Sequence, residues 1–235
     1  MDSIILKARE LLRRGAREEV KAQNEKFFRE KVSFYGLKNP DVHRIARAML
    51  KEIGDRSKEN IFRLCEELWR SGYVEESLVA CDWSESAGRN FAEDDIHLFS
   101  RWLNDHVNNW ASCDTFCNHT VGELLMKYPG NITFLKKWAG SENRWVKRGS
   151  AVSLIIPARR GMFLEDIIEI ASILLTDTDD MVQKGYGWML KAASEAHRDA
   201  IFEFVMNNKS KMPRTALRYA IEKMPEDYKK RAMAK

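Results

Sequence analysis

Four side chains set the chemistry open to this chain: Trp110 and Asp114, then Arg148, then Trp188. Each falls in a helical-looking segment beside basic residues, so one carboxylate, one guanidinium and two indoles could converge on a concave surface. A fixed carboxylate stabilises positive charge as it develops on a reacting group, and indole faces do the same through their quadrupole. A guanidinium can grip a phosphate and, beside a carboxylate, favours its charged form. In NNWASCD, Trp110 and Asp114 stand at i and i+4, hence on one helix face if the helix starts early enough to hold both. The ordinary alternative for such a pair is a partly buried aromatic beside a surface acid. In RWVKRG, Trp145 and Arg148 lie one turn apart with Arg144 and Lys147 as neighbours; Trp145 reads as core and Arg148 as the exposed or paired member. In KGYGWMLK, Lys184, Trp188 and Lys191 share a face at i, i+4 and i+7. The flanking lysines favour an exposed Trp188, although lysine stems can also lie over a buried ring.

The elements that must position these residues read as helices almost throughout, with apolar residues at three- and four-residue spacing and no period-two alternation. Ile4, Ile5, Ala8, Leu11 and Leu12 make the first stripe; Phe27, Phe28, Val32 and Phe34 make another, closed by Gly36. Asn39 followed by Pro40 predicts a helix start with Asn39 as cap, and Ser57 opens another helix. Further helices are expected over 73–83, 96–102, 113–126, 132–138, 144–156, 164–175, 181–193, 198–206 and 214–224, with 84–95 as the longest polar connection. The breaks YPGN, GSEN, TDTDD and NNKS are turn chemistry. Two helices per ~35–45 residues is the rhythm of HEAT-like or armadillo-like arrays, whose helix pairs bury apolar faces against their neighbours and bind on a concave side. The expectation is an all-α chain, one domain over residues 1–235.

Composition narrows the partners. The net charge of +4 is unevenly spread: residues 1–120 hold 19 Lys and Arg against 21 Asp and Glu, residues 121–235 hold 20 against 14. Lys136, Lys137, Arg144, Lys147, Arg148, Arg159 and Arg160 stand in one stretch with Glu142 as its single acid, and Lys209, Lys211, Arg214 and Arg218 form a second run with none. Such clusters suit a phosphate backbone, because each neutralised phosphate releases counterions; a solvated helix face is the plain alternative for either run alone. Cys65, Cys81, Cys113 and Cys117 form no CxxC pair and read as reduced core thiols. Cys113, Cys117 and His119 lack the fourth ligand that a tetrahedral zinc site needs, so no metal and no cofactor is expected. The N-terminus lacks the basic start and apolar run of a signal peptide, and no run of ~18 apolar residues predicts a membrane span. These features point to a soluble, cytoplasmic, monomeric protein.

The segments FYGLKNPDVHR, Trp110 to Asp114 with the following GELLMKYP, NRWVKRGSAV and KGYGWMLK occur in the order found in the AlkD-like DNA alkylation repair family, which the chain resembles over nearly its full length. That family comprises HEAT-like DNA glycosylases, so the resemblance implies a right-handed superhelical array of helix pairs around a basic groove. It implies duplex DNA containing alkylated bases as partner, and release of N3-methyladenine or N7-methylguanine as activity. Residue by residue it implies that Asp114 is the catalytic carboxylate, that Trp110 and Trp188 contact the damaged nucleotide's sugar and backbone, and that Arg148 supports the acid and a phosphate. Phe27 stands where relatives often carry tyrosine, and Lys38 where a glutamine also occurs; both are candidate DNA contacts, with Lys147, Lys184, Lys191, Lys211 and Arg214. The family works from the backbone, and no base pocket is expected. The alternatives are a non-catalytic HEAT-like protein that binds damaged or branched DNA, and a scaffold for protein partners.

Overall fold

Several helices in this chain start where a short polar side chain can take the first free amides. Asp2 accepts from the Ile4 amide at 3.1 Å, Asn109 from Ser112 at 2.9 Å, Asn143 from Trp145 at 2.9 Å, and Asp179 from Met181 and Val182 at 2.8 and 3.2 Å. The structure, a computed structural model, describes residues 2–234 and is all-α. Among the described residues the sole β pairing is an isolated bridge between Ser33 and Tyr73. Among the described residues no helix is long and apolar enough to cross a membrane. The chain divides into two compact units, one ending at Phe116 and one starting at Cys117.

The first unit holds α1 (Ser3–Gly15), α2 (Glu18–Phe27), α3 (Asn39–Glu52), α4 (Lys58–Trp69), α5 (Val74–Ser86), α6 (Asp95–Asp105) and α7 (Trp110–Thr115). α5 is buried on nearly every side, packed by α3, α4 and α7. Trp69, Phe99, Trp102 and Phe116 fill the core beside it, with Phe116 edge-on to both Trp69 and Phe99 at 5.5 Å.

The predicted helical stripe from Phe27 to Phe34 is not a helix. α2 ends at Phe27 and the chain to Leu37 runs irregularly, with Gly36 at φ 105°. The segment that follows the stripe is held by a residue far along the sequence. Glu75 of α5 is only 2% exposed, and its carboxylate accepts from three successive amides, Tyr35 at 3.0 Å, Gly36 at 2.8 Å and Leu37 at 3.1 Å. These amides lie just beyond the stripe, and once committed to the carboxylate they cannot carry a helix through residues 35–37. Glu76, equally buried, is neutralised by Arg9 at 2.9 Å and accepts from the Tyr35 phenol at 2.6 Å. Burial, with the Glu76 hydrogen bond, pushes the Tyr35 hydroxyl well above the usual phenol range, so it stays a donor. At the next boundary Asn39 is not the cap expected of it: Lys38 holds the cap position of α3, no side chain caps it, and the Asn39 amide is left unspent.

The second unit begins within a π-helical turn, Phe116–Val121, and continues through α8 (Gly122–Lys127), α9 (Ile132–Ala139), α10 (Arg144–Val152), α11 (Ile155–Arg159), α12 (Leu164–Ile173), α13 (Asp180–Ala193), α14 (Arg198–Asn208), α15 (Arg214–Ile221) and α16 (Glu226–Met233). The helix predicted over 144–156 is two helices. Pro157 has no amide for the Ser153 carbonyl and its ring crowds that position, so the chain turns at Ser153 and Leu154. α13 is the hub of this unit, packed by α10 and α15. Gly187 lets α15 approach: a Cβ there would stand 2.7 Å from Tyr219 Cβ and 2.8 Å from the Ala216 carbonyl oxygen.

Two stability outcomes follow from these contacts. Glu75→Ala strands three buried amides and should lower unfolding free energy by about 3–5 kcal/mol, more than Glu75→Gln, in urea titrations followed by circular dichroism. A loss below about 1 kcal/mol would contradict the role given to that carboxylate. Gly187→Ala should cost about 1–3 kcal/mol through overpacking and lower the thermal midpoint; an unchanged midpoint would show that α13 and α15 can part at no cost.

Candidate functional site

The start of α7 is fixed tightly enough to place both Trp110 and Asp114 on it. Asn109 caps the helix, its amide donates to Ser112 Oγ at 3.0 Å, and Ser112 Oγ meets Ser77 Oγ of α5 at 2.6 Å. The helix expected from Cys113 therefore begins three residues earlier, and the i, i+4 relation of Trp110 and Asp114 holds. Both side chains are half-buried, so the carboxylate is neither sunk in the core nor fully solvated. Directly after Asp114 and Thr115 the helix widens into the π turn, an irregularity frequent at functional sites.

Trp110 is the centre of an aromatic group. Its ring stacks on Phe28 at 5.1 Å and 18°, Phe27 meets it edge-on at 5.8 Å, and Phe28 packs edge-on against Phe34 at 5.0 Å. Phe34 sits in the segment held by Glu75, so the buried carboxylate reaches Trp110 through two rings. The Trp110 indole N–H makes no hydrogen bond among the described residues. Phe28 and Phe34 entered the sequence reading only as an apolar stripe; the clue was their wide interruption by Arg29, Glu30 and Lys31.

In the second unit Arg148 is 5% exposed and donates from Nη1 to the Met181 carbonyl in the first turn of α13. It is thus the paired member of the RWVKRG segment, while Trp145 is buried as expected. Gly185 makes room for it, since a Cβ there would stand 3.2 Å from Arg148 Cγ. Trp188, one turn further along α13, is half-buried.

The candidate cations differ in what already holds them. Lys147 pairs with Asp177 at 2.6 Å, Lys184 with Asp180 at 3.1 Å, and Lys191 with Glu222 at 2.9 Å while lying over the Tyr219 ring. The basic stretch that carries one acid in sequence gains others in space: Lys136 pairs with Asp166 and Glu169, Arg144 with Asp179, and Arg159 with Glu195. Lys209 donates to the Arg231 and Ala234 carbonyls at the end of α16. Lys38, Lys211, Arg214 and Arg218 are exposed and, among the described residues, have no acid partner. The four cysteines are buried free thiols. Among the described residues no three His, Cys, Asp or Glu side chains are grouped to hold a metal ion.

Comparison with known proteins then places the chain. A family described as "DNA alkylation repair enzyme" matches residues 8–224. Among solved structures, a predicted DNA alkylation repair enzyme from Enterococcus faecalis superposes with a TM-score of 0.80 at 17% identity, over 90% of this chain and 97% of that one. AlkD2 from Streptococcus mutans superposes with a TM-score of 0.60 at 20% identity, over 89% of this chain and 99% of that one. No curated protein matches the sequence. The all-α helical-repeat fold is shared with these structures, and the family match over most of the length decides membership: the chain belongs to the DNA alkylation repair enzymes.

Proposed function

We propose that this family member is a monofunctional DNA glycosylase that releases positively charged alkylpurines, N3-methyladenine and N7-methylguanine, from duplex DNA. The observation that carries the reading is the half-exposed Trp110 and Asp114 pair on one turn of α7, held by the Asn109 cap and the ring contacts described above. An N3- or N7-alkylated purine already bears positive charge, so it departs with the glycosidic electron pair as a neutral base and needs no acid. What must be stabilised is the cationic character that grows at C1′ of the deoxyribose, as in sugar hydrolysis generally. Asp114, as carboxylate, faces that charge and takes the proton of the water that adds to C1′. The Trp110 face contributes about 0.5–2 kcal/mol of cation–π attraction. Arg148 and Trp188 serve the contact with DNA, and Phe27, Lys38, Lys211 and Arg214 hold its backbone. Lys147, Lys184 and Lys191 act there only by exchanging their acid partners for phosphate. The protein works as a cytoplasmic monomer in this reading.

A carboxylate facing a polyanion weakens plain DNA binding, so the presence of Asp114 favours catalysis over a purely binding role. Asp114→Asn should abolish release of 7-methylguanine from methylated duplex, a fall of at least about 10²-fold, while duplex affinity stays the same or rises. Release at the wild-type rate would refute the assignment. Duplexes carrying uracil or 8-oxoguanine, whose neutral bases are poor leaving groups, should be cleaved far more slowly than methylated ones. Salt titrations should separate the cations: Lys211→Ala and Arg214→Ala should each lower the slope of log affinity against log salt by about 1, and Lys184→Ala by less. Wild-type slopes for Lys211→Ala and Arg214→Ala would remove these two residues from the interface.

A further inference from the structure

Residues 1–120 carry more acid than base, 21 Asp and Glu against 19 Lys and Arg, yet one helix face within them is basic. Asn39, His43, Arg47 and Lys51 follow one another at four-residue intervals along α3. Each step advances ~6 Å along the helix and turns it by only ~40°, so the four side chains form one winding row. Asn39, Arg47 and Lys51 are exposed, and the His43 side chain is 32% exposed. The acids of α3 fall off this row and are already matched, Asp41 by Arg44 at 2.8 Å and Arg17 at 3.6 Å, and Glu52 by Lys7. Among the described residues Lys51 has no acid partner and Arg47 makes no ion pair. The row begins beside the proposed site, since Asn39 borders the same hollow as Phe27 and Trp110.

His43 is the member of the row whose charge can change. Its Nδ1 lies 3.0 and 2.8 Å from the two carboxylate oxygens of Asp82 on α5. A carboxylate only accepts, so this contact makes Nδ1–H the donor and fixes the ring. Nε2 makes no hydrogen bond among the described residues and is the atom left for a ligand. With one proton on the ring, Nε2 turns a lone pair outward, which repels an anionic oxygen. With two, it becomes a charged N–H donor, which such an oxygen accepts from. Glu85 of α5 and Arg47 of α3 set opposite charges near Asp82, while α1, also packed on α3, brings Lys7 to Glu52 at the far end. Donors at a regular rise suit an anion of regular spacing, one strand of a duplex, better than the scattered carboxylates of a protein surface.

We infer that this face of α3 is a phosphate-binding surface of the first unit, in which Arg47 and Lys51 hold a DNA strand and the His43 imidazolium, braced by Asp82, donates from Nε2 to a phosphate oxygen. The inference rests on the reading that the protein works on duplex DNA, and it makes the grip on DNA depend on protons. Binding takes up a proton at the imidazole, so the contact is present below the ordinary range of histidine titration and is lost as pH rises through it.

The number of phosphates neutralised is read from the slope of log affinity against log salt, measured by fluorescence anisotropy on an unmodified duplex at about pH 5.5 and about pH 8. His43→Gln keeps an amide donor for Asp82 and cannot become charged. Its slope should be smaller than wild type by about 0.9 at the lower pH and should match wild type at the higher one. His43→Arg, charged throughout, should hold the larger slope at both. Arg47→Ala and Lys51→Ala should each lower the slope by about 0.9 at both pH values. Circular dichroism verifies folding, and if His43→Gln does not fold, His43→Arg against wild type decides. A wild-type slope for His43→Gln at the lower pH, a His43→Arg slope that still falls with rising pH as wild type does, or wild-type slopes for both Arg47→Ala and Lys51→Ala, overturns the inference and leaves the glycosylase reading intact. Absence of duplex binding at any salt concentration overturns both.

Discussion

The first unit depends on one buried carboxylate. Glu75 faces three consecutive amides of a segment some forty residues earlier, and by occupying them it denies that segment a helix. A buried carboxylate without such donors would be strongly unfavourable; with them it becomes a fixed point around which Phe34, Phe28 and then Trp110 are stacked. On either side of this segment Phe27 is exposed and Asn39 does not cap α3. A single electrostatic constraint thus anchors the rings that support the proposed catalytic helix.

The second unit uses small residues to the same end. Gly185 and Gly187 lie on α13, one giving space to the Arg148 side chain and the other to the backbone of α15. Arg148 is held at the start of that helix through the Met181 carbonyl rather than waving in solvent. Buried guanidinium groups held in this way lose little further freedom when they meet a ligand, which suits an interaction that must be directional. Several of the surrounding cations are already matched by acids, while Lys137, Arg160, Lys211, Arg214 and Arg218 are exposed with no acid partner among the described residues.

Much of this was legible in the residues themselves. Three- and four-residue spacing marked the helices and Ser57 caps α4 as expected, whereas Asn39 does not cap α3; the i, i+4 spacing of Trp110 and Asp114 survives because Asn109 starts α7 in time. What could not be read required knowledge of distant partners. The stripe from Phe27 to Phe34 has helical spacing yet is irregular, and the capture of the next three amides by Glu75 is invisible to local pattern. The stretch from Lys136 to Arg160 looks strongly basic because its neutralising acids, Asp166, Asp177, Asp179 and Glu195, lie outside it. Apolar spacing runs unbroken over 144–156, and the split into α10 and α11 comes from Pro157 just beyond it, acting four residues back. Caps and periodicity are local, whereas charge pairing and amide capture are not.

The central claim is that the reaction proceeds through a deoxyribose carrying substantial positive charge, stabilised by a carboxylate and attacked by water. A hydrogen isotope effect at C1′ reports that charge directly, because the carbon flattens as the base departs. Single-turnover release of 7-methylguanine from duplex labelled with tritium at C1′ should show a clear normal isotope effect, with no protein–DNA adduct trapped by borohydride. An isotope effect of unity, or a trapped covalent adduct, would contradict the account.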